Sequence, residues 1–315
     1  MSRSGESSAN GAAGAEVVNR TLEAYEENGR WYGGFRRGRC MTPVDEAELE
    51  RLDILHKLFL VLRREALHSA PLANPTNPRI LDIGCGTGIW GIDMADKYPH
   101  GQVLGIDLNY IQPEYIPSNI RFIQKDIETP WQDLEPGSWD LIHLRMLNGN
   151  IASWPTMYNE VYRHLKPYHG HIEHIEVDWS PRTDDPATVI DGTPVHRWSN
   201  ELLDVMDNIG RPLRLESNLI KQRLADAGFA DIKEEVLKVP YNAWPTDRHG
   251  RELGRWFDLS MRTGYQALSL APFARGLSRS PEEINNFVDQ VYAQTHSKEF
   301  RAYITVHVFT ARKPQ

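Results

Sequence analysis

Arg79-Ile80-Leu81-Asp82-Ile83-Gly84-Cys85-Gly86-Thr87-Gly88 is the stretch that decides the fold of this chain. A strand over residues 79–83 runs into a glycine-rich turn, and a helix over residues 89–97 begins directly after it. Glycines suit such a turn because the backbone bends sharply and a ligand lies against it, leaving no room for a Cβ. Gly84 and Gly86 open the dinucleotide pattern G-x-G-x-x-G, but its third glycine falls on Ile89 and the match fails there.

Asp82 discriminates further. A pyrophosphate at this turn would meet a carboxylate, whereas a phosphate-free ligand with a cationic end suits one. S-adenosylmethionine, with its ammonium, sulfonium and ribose, is such a ligand, and a nucleotide-dependent oxidoreductase is opposed by both Asp82 and Ile89. Downstream, Asp107 closes a strand over residues 103–108 and stands 19 positions after Gly88. An acid at that spacing accepts hydrogen bonds from ribose hydroxyls. Asp126 ends the next strand, residues 120–125, where it can accept from an adenine amino group with Ile127 beside the ring. Further strands over residues 140–145 and 171–177 flank a helix over residues 157–165. Strands alternating with helices predict a parallel sheet covered on both faces. The three strand-end carboxylates then converge on the crevice where such sheets bind ligands.

Upstream, Leu49, Leu52, Leu55, His56, Phe59 and Leu62 recur at helical spacing and predict a helix over residues 45–68, ended by Pro71, Pro75 and Pro78. Residues 17–40 are rich in Tyr, Trp, Gly and Arg and read as an arm that folds onto the main body. Residues 28–36, with Trp31, Tyr32 and Phe35, are expected to form part of a lid, Tyr32 bonding a ligand carboxylate. Residues 1–16 read as a disordered tail, residues 17–78 as arm and helix, and residues 79–315 as one domain. That domain carries insertions at about 179–217 and 241–299. Helices are expected over residues 198–208 and 218–227, the latter capped by Gly228. A strand over residues 232–239 and the β-rich run 300–311 would form a late hairpin at the sheet edge.

Composition bounds the function. The 315 residues are 40% hydrophobic and 25% charged, with 35 basic and 43 acidic side chains for a net charge of −8. That balance argues against broad electrostatic binding to nucleic acid or anionic membrane, although Arg36, Arg37 and Arg39 make a small local cluster. Cys40 and Cys85 cannot build a disulfide framework, which fits a reducing, intracellular compartment. No apolar run reaches the roughly 18 residues of a membrane span, and the N-terminus lacks the apolar block of a signal peptide.

Residues 79–178 resemble a class I S-adenosylmethionine-dependent methyltransferase. The likeness to one subgroup is closer and extends from about residue 19. Asn28-Gly29-Arg30-Trp31-Tyr32, Arg51-Leu52-Asp53-Ile54, Asp82 to Trp90, Trp139 to Met146, Ser153-Trp154-Pro155, Ala227-Gly228-Phe229 and Gly254-Arg255-Trp256-Phe257 resemble the LaeA family, fungal methyltransferase-like regulators of secondary metabolism and development. The resemblance implies a Rossmann-like, seven-stranded, mostly parallel sheet with an antiparallel last strand. It also implies that an N-terminal helical arm and helical insertions cover the site. It further implies a nuclear protein, with a cytoplasmic pool allowed, that joins velvet-domain partners without sequence-specific nucleic-acid binding. The expected cofactor residues are Tyr32, Asp82, Gly84, Cys85, Gly86, Gly88, Asp107, Leu108, Asp126, Ile127, Leu144 and Arg145.

No catalytic dyad stands out. Methyl transfer from a sulfonium needs an aligned nucleophile, and positioning supplies much of the rate; a base matters only where the acceptor must lose a proton. His143 and Arg145 share one face of their strand and are the candidates, although a core histidine is the plainer reading of His143. His171 and Glu173 alternate with His174 and Glu176 across a strand, so no face gathers a metal set. The stretch 146–154 lacks the paired glutamates of an arginine-directed enzyme. A cofactor-binding scaffold with little turnover, or a small-molecule methyltransferase, are the alternatives to a protein-directed enzyme.

Overall fold

The computed structural model describes residues 24–315, so the expected tail over residues 1–16 lies outside the described residues. Among the described residues the arm opens with a hairpin, β1 (Tyr25–Glu27) and β2 (Arg30–Tyr32). Asn28 and Gly29 turn it, with φ of 55° and 74°. Asn-Gly is the pair that tolerates two left-handed residues in a tight turn. Arg30 ties the hairpin down through a bidentate pair with Asp45, at 2.7 and 2.6 Å. Asp45 in turn caps helix α1 (Glu46–Leu62) by accepting from the Glu48 N–H.

Helix α1 stops short of the prolines expected to end it. Arg64 and Glu65 turn left-handed directly after it. The cause lies in the neighbouring sheet: the buried Glu173 carboxylate accepts from the Ser69 and Ala70 N–H groups and pairs with Arg63 at 2.9 Å. The chain must leave the helix to deliver those donors.

The strand β3 (Arg79–Ile83) is an inner strand of a seven-stranded sheet. Its residues Ile80 to Ile83 are buried, as befits a parallel strand covered on both faces. After α2 (Ile89–Lys97) the chain lays β4 (Gln102–Asp107) and β5 (Ile120–Gln124) outward on one side. It then crosses to the other side with β6 (Leu141–Arg145), α3 (Trp154–His164) and β7 (His171–Arg182). All five strands are parallel. The chain changes direction between β3 and β6, and open sheets bind ligands at such a switch point.

The rest of the chain supplies α4 (Pro194–Asn208), α5 (Ser217–Asp226), β8 (Ala230–Pro240), α6 (Arg248–Leu277), α7 (Pro281–His296) and β9 (Tyr303–Arg312). Strand β9 inserts between β7 and β8, antiparallel to both, so the antiparallel last strand is present and the order is β5-β4-β3-β6-β7-β9-β8. The last two strands are neighbours, yet they do not form the hairpin expected: α6 and α7 separate them in sequence, and β8 rather than β9 is the edge. Helices α4, α6 and α7 pack with α1 and with one face of β7 and β9 in the largest apolar cluster, which includes Trp198, Phe257 and Phe273. No described helix is long and apolar enough to cross a membrane.

Candidate functional site

A cavity of about 240 Å³ opens at the C-terminal ends of β3, β4 and β6. Its floor is the glycine turn. Gly84, Gly86 and Gly88 all have positive φ, between 56° and 81°, which L side chains rarely adopt. Their surroundings differ. A Cβ on Gly84 would fall 2.3 Å from Leu147 Cδ2, and one on Gly88 would fall 2.4 Å from Phe122 Cζ. Over Gly86 the nearest atom is Leu52 Cδ1, at 3.7 Å. Protein packing therefore excludes a side chain at the outer two glycines, and the room for a ligand lies over Gly86. Gly88 starts α2 and does not reach the wall.

Asp107 stands beside that space. The Gly86 N–H donates to its Oδ2 and the Asn109 N–H to its Oδ1, each at 2.8 Å. The turn thus aims the carboxylate, and each oxygen keeps a further lone pair for a ligand hydroxyl. Burial pushes Asp107 up to about 6 despite those two donors. A buried acid seeking more donors, at the rim of a glycine cradle, fits the ribose of S-adenosylmethionine. Cys85, Leu108, Asp126 and Ile127 also line the cavity, as expected. Asp126 faces two arginines of the arm, Arg36 at 3.4 Å and Arg39 at 3.5 Å. Arg39 also pairs with Glu128, which Arg211 holds at 2.8 Å. The small basic cluster of the arm is thereby occupied: Arg37 lies 4.1 Å over the Tyr25 ring.

Four expected cofactor residues stand behind the wall. Besides Gly88, Leu144 points into the apolar core between sheet and helices, fully buried. Asp82 lies beneath the turn and shares a 2.9 Å hydrogen bond with His143 Nδ1. Burial raises Asp82 to about 7 and holds the imidazole neutral, far below its ordinary value. Trp90 stacks on His143 with ring centroids 3.7 Å apart and planes within 10°. Both members of the pair are buried, and neither lines the cavity. Tyr32 is the fourth. It is 1% exposed, stacks on Tyr25 and sits under the Arg275 guanidinium. Arg275 also grips Glu27 and the Tyr25 hydroxyl, anchoring the hairpin to α6. The arm meets the cavity instead through residues 39–44.

The opposite half of the cavity is apolar. Trp179, Leu202, Met206, Leu213, Leu268 and Pro272 line it, supplied by the segments read as insertions. Pro272 lies inside α6 and has no N–H to give the Leu268 carbonyl, so the helix leaves that acceptor without its usual donor. One carboxylate, Glu176, reaches this half. Its Oε1 accepts from the Leu147 and Asn148 N–H groups at 2.8 and 2.9 Å and from His174 at 2.9 Å. Three donors occupy that one carboxylate oxygen. The acid-and-histidine run of β7 thus resolves into structural bonds: Glu173 braces the end of α1, and His174 bridges Tyr158 and Glu176.

A helical arm was expected to cover the site, but no residue of α1 was among the expected site residues. Arg51, Leu52 and Leu55 line the cavity, and Thr87 donates to Asp53 at 2.7 Å. Arg51 carried the one available signal, a cation among the apolar positions of a helix that buries that face.

A family model described as a methyltransferase domain matches residues 54–234. The Secondary metabolism regulator LAE1 of Cochliobolus heterostrophus is 48% identical over 92% of this chain and 95% of its own length. The Protein-methionine methyltransferase laeA of Emericella nidulans is 43% identical over 92% of this chain and 76% of its own length. Among solved structures, phosphoethanolamine N-methyltransferase 2 of Haemonchus contortus in complex with S-adenosyl-L-methionine aligns with a TM-score of 0.47 and 17% identity, covering 82% of this chain and 53% of that one.

Proposed function

The chain belongs to the LaeA family of secondary metabolism regulators and is an S-adenosylmethionine-dependent methyltransferase, and from that premise we propose that it methylates a methionine thioether of a protein. The observation that carries the proposal is the split cavity: a ribose-accepting carboxylate over a glycine cradle on one side, an apolar wall without a free base on the other. The bound cofactor supplies an electrophilic methyl group on a sulfonium. A methionine thioether would take that methyl as the sulfonium S–CH3 bond breaks and S-adenosylhomocysteine leaves; no proton is shed, so no base would be required of the protein. Asp107 and the turn hold the nucleoside end; Trp179, Met206 and Leu268 exclude water and receive an apolar chain. The name of the Emericella nidulans relative points to the same acceptor.

The names of the relatives support a role in regulating secondary metabolism. The family resemblance extends the proposal to a nuclear site of action with velvet-domain partners, where the methylated protein would be found. The test is incubation with methyl-labelled S-adenosylmethionine and whole-cell protein, followed by hydrolysis and separation of the labelled residue. S-methylmethionine is the expected product. Label in methylarginine or methyllysine would overturn the acceptor assignment. Cofactor binding without transfer to any protein would leave the scaffold role in its place.

A further inference from the structure

Charged groups of both signs line the cavity on either side of the glycine turn. Asp107, Asp126 and Glu128 stand at or beyond the ends of β4 and β5, on one side of the glycine turn. Arg145 ends β6 on the other side, and Arg51 comes from α1 above it. Neither arginine is fully answered by the protein.

Arg51 is 3% exposed. Its Nε and Nη2 bond both oxygens of Glu48 at 2.7 Å, while its Nη1, equally buried, has no partner. Leaving a buried charged donor unpaired is expensive. Arg145 lies 4.9 Å over the Phe59 ring and gives one hydrogen bond, from Nη1 to His56 Nδ1 at 3.3 Å. His56 can accept there because its Nε2 donates to Asp93. Among the described residues no carboxylate stands within 4.0 Å of the Arg145 guanidinium. Burial lowers Arg145 to about 10, against the pull of the more distant Asp82 carboxylate. Both side chains face a cavity whose far end is already assigned to a nucleoside.

We propose that Arg51 Nη1 and the Arg145 guanidinium together hold the α-carboxylate of the cofactor's amino-acid end, the task sequence reading gave to Tyr32. The inference rests on the cofactor reading of the site. It explains why Glu48 occupies only one edge of Arg51: the other edge is kept for the ligand. It also gives the cation that ends β6 a partner in the ligand.

The test compares two ligands by calorimetry. S-adenosylhomocysteine carries the amino-acid end, and 5′-methylthioadenosine is the same nucleoside thioether without it. Arg145→Gln is expected to weaken S-adenosylhomocysteine at least tenfold and to leave methylthioadenosine within twofold. Glu48→Gln combined with Arg51→Met, which removes the cation without stranding its carboxylate, is expected to do the same. Melting temperatures report whether each variant is folded, and Arg51→Lys serves as a second variant if the double one is not. Equal loss of both ligands, or of neither, would overturn the clamp. Wild-type protein that binds neither ligand would instead sink the cofactor reading itself.

Discussion

The cofactor half of the cavity stands on strand ends, and the acceptor half stands on helices. In the first, Gly86 follows β3 and Asp107 ends β4, adjacent parallel strands whose register, with Ile83 opposite Ile106, fixes their spacing. In the second, Met206, Leu268 and Pro272 come from α4 and α6, whose positions depend on packing across the largest apolar cluster. A sheet ladder is specified by local hydrogen bonds and a period of two; a helix-on-helix wall is specified only by the summed fit of many side chains. The first half should therefore tolerate no change at a few positions, and the second should spread its dependence thinly.

The largest effect expected is at Asp107. Replacing it with alanine removes the acceptor of two ribose hydroxyls and should cost about 2–4 kcal/mol of S-adenosylhomocysteine affinity. The same change strands the Gly86 and Asn109 N–H groups, so the melting temperature should fall as well while the fold survives. Titration calorimetry on Asp107→Ala checks both claims at once. An unchanged affinity would remove this residue from the site and dissolve the contrast between the halves.

The contrast also describes what could be read in advance. Asp107, Asp126 and the glycine turn were legible because each lies where a strand pattern stops, and a strand end is visible in a sequence. Arg51 was not, because a cation at a helical core position looks the same whether it serves a ligand or an ion pair, and here it does both. Asp82 was misplaced for a related reason. Its period along β3 was right, but nothing in the chain announces that His143, 61 residues later, rises beside it and takes the carboxylate. The hairpin at Asn28-Gly29 carried a strong turn signal, which a reading of residues 17–40 by composition passed over. The apolar half was legible in outline alone: the insertions were expected to cover the site, but not which of their residues would reach it.

A second effect, intermediate in size, is a pH dependence confined to the cofactor half. Unfolded aspartate titrates near 3.9, and the fold raises Asp107 to about 6 and Asp82 to about 7. The folded state therefore binds protons more tightly than the unfolded one between about pH 4 and pH 7. Their contribution to stability is full below that window and is lost as pH rises through it. Ligand hydroxyls favour ionised Asp107, so binding should run the other way. S-adenosylhomocysteine affinity should rise roughly tenfold from pH 5 to pH 7.5, with proton release on binding at the acid end. Asp107→Asn should flatten that rise. A rise of the same size in the Asn variant would assign it to another group and leave Asp107 without its ligand contact.

The smallest effect concerns the arm, which belongs to neither half by origin. Gly33 packs so closely on the loop after β4 that a Cβ there would lie 1.7 Å from Asn109 Oδ1 and 2.9 Å from its Cγ. Asn109 is itself buried, so the Gly33→Ala methyl must displace either that side chain or the arm. Overpacking of this kind costs on the order of 1–2 kcal/mol, since an amide can swing aside more easily than a strand can. Anchors remain on the other flank, where Arg30 holds Asp45 and Arg275 holds Glu27. The arm should thus loosen without detaching. Hydrogen exchange over residues 28–36 should quicken, and S-adenosylhomocysteine should restore less protection than it does in the wild type. Affinity should fall by no more than about threefold, the size of a perturbation that reaches Asp107 only through the Asn109 N–H. A loss that rivals Asp107→Ala would mean that the arm closes on the cofactor directly and belongs with the strand ends. Equal exchange with and without ligand in both proteins would mean that it is a fixed brace, and that residues 28–36 are not a lid.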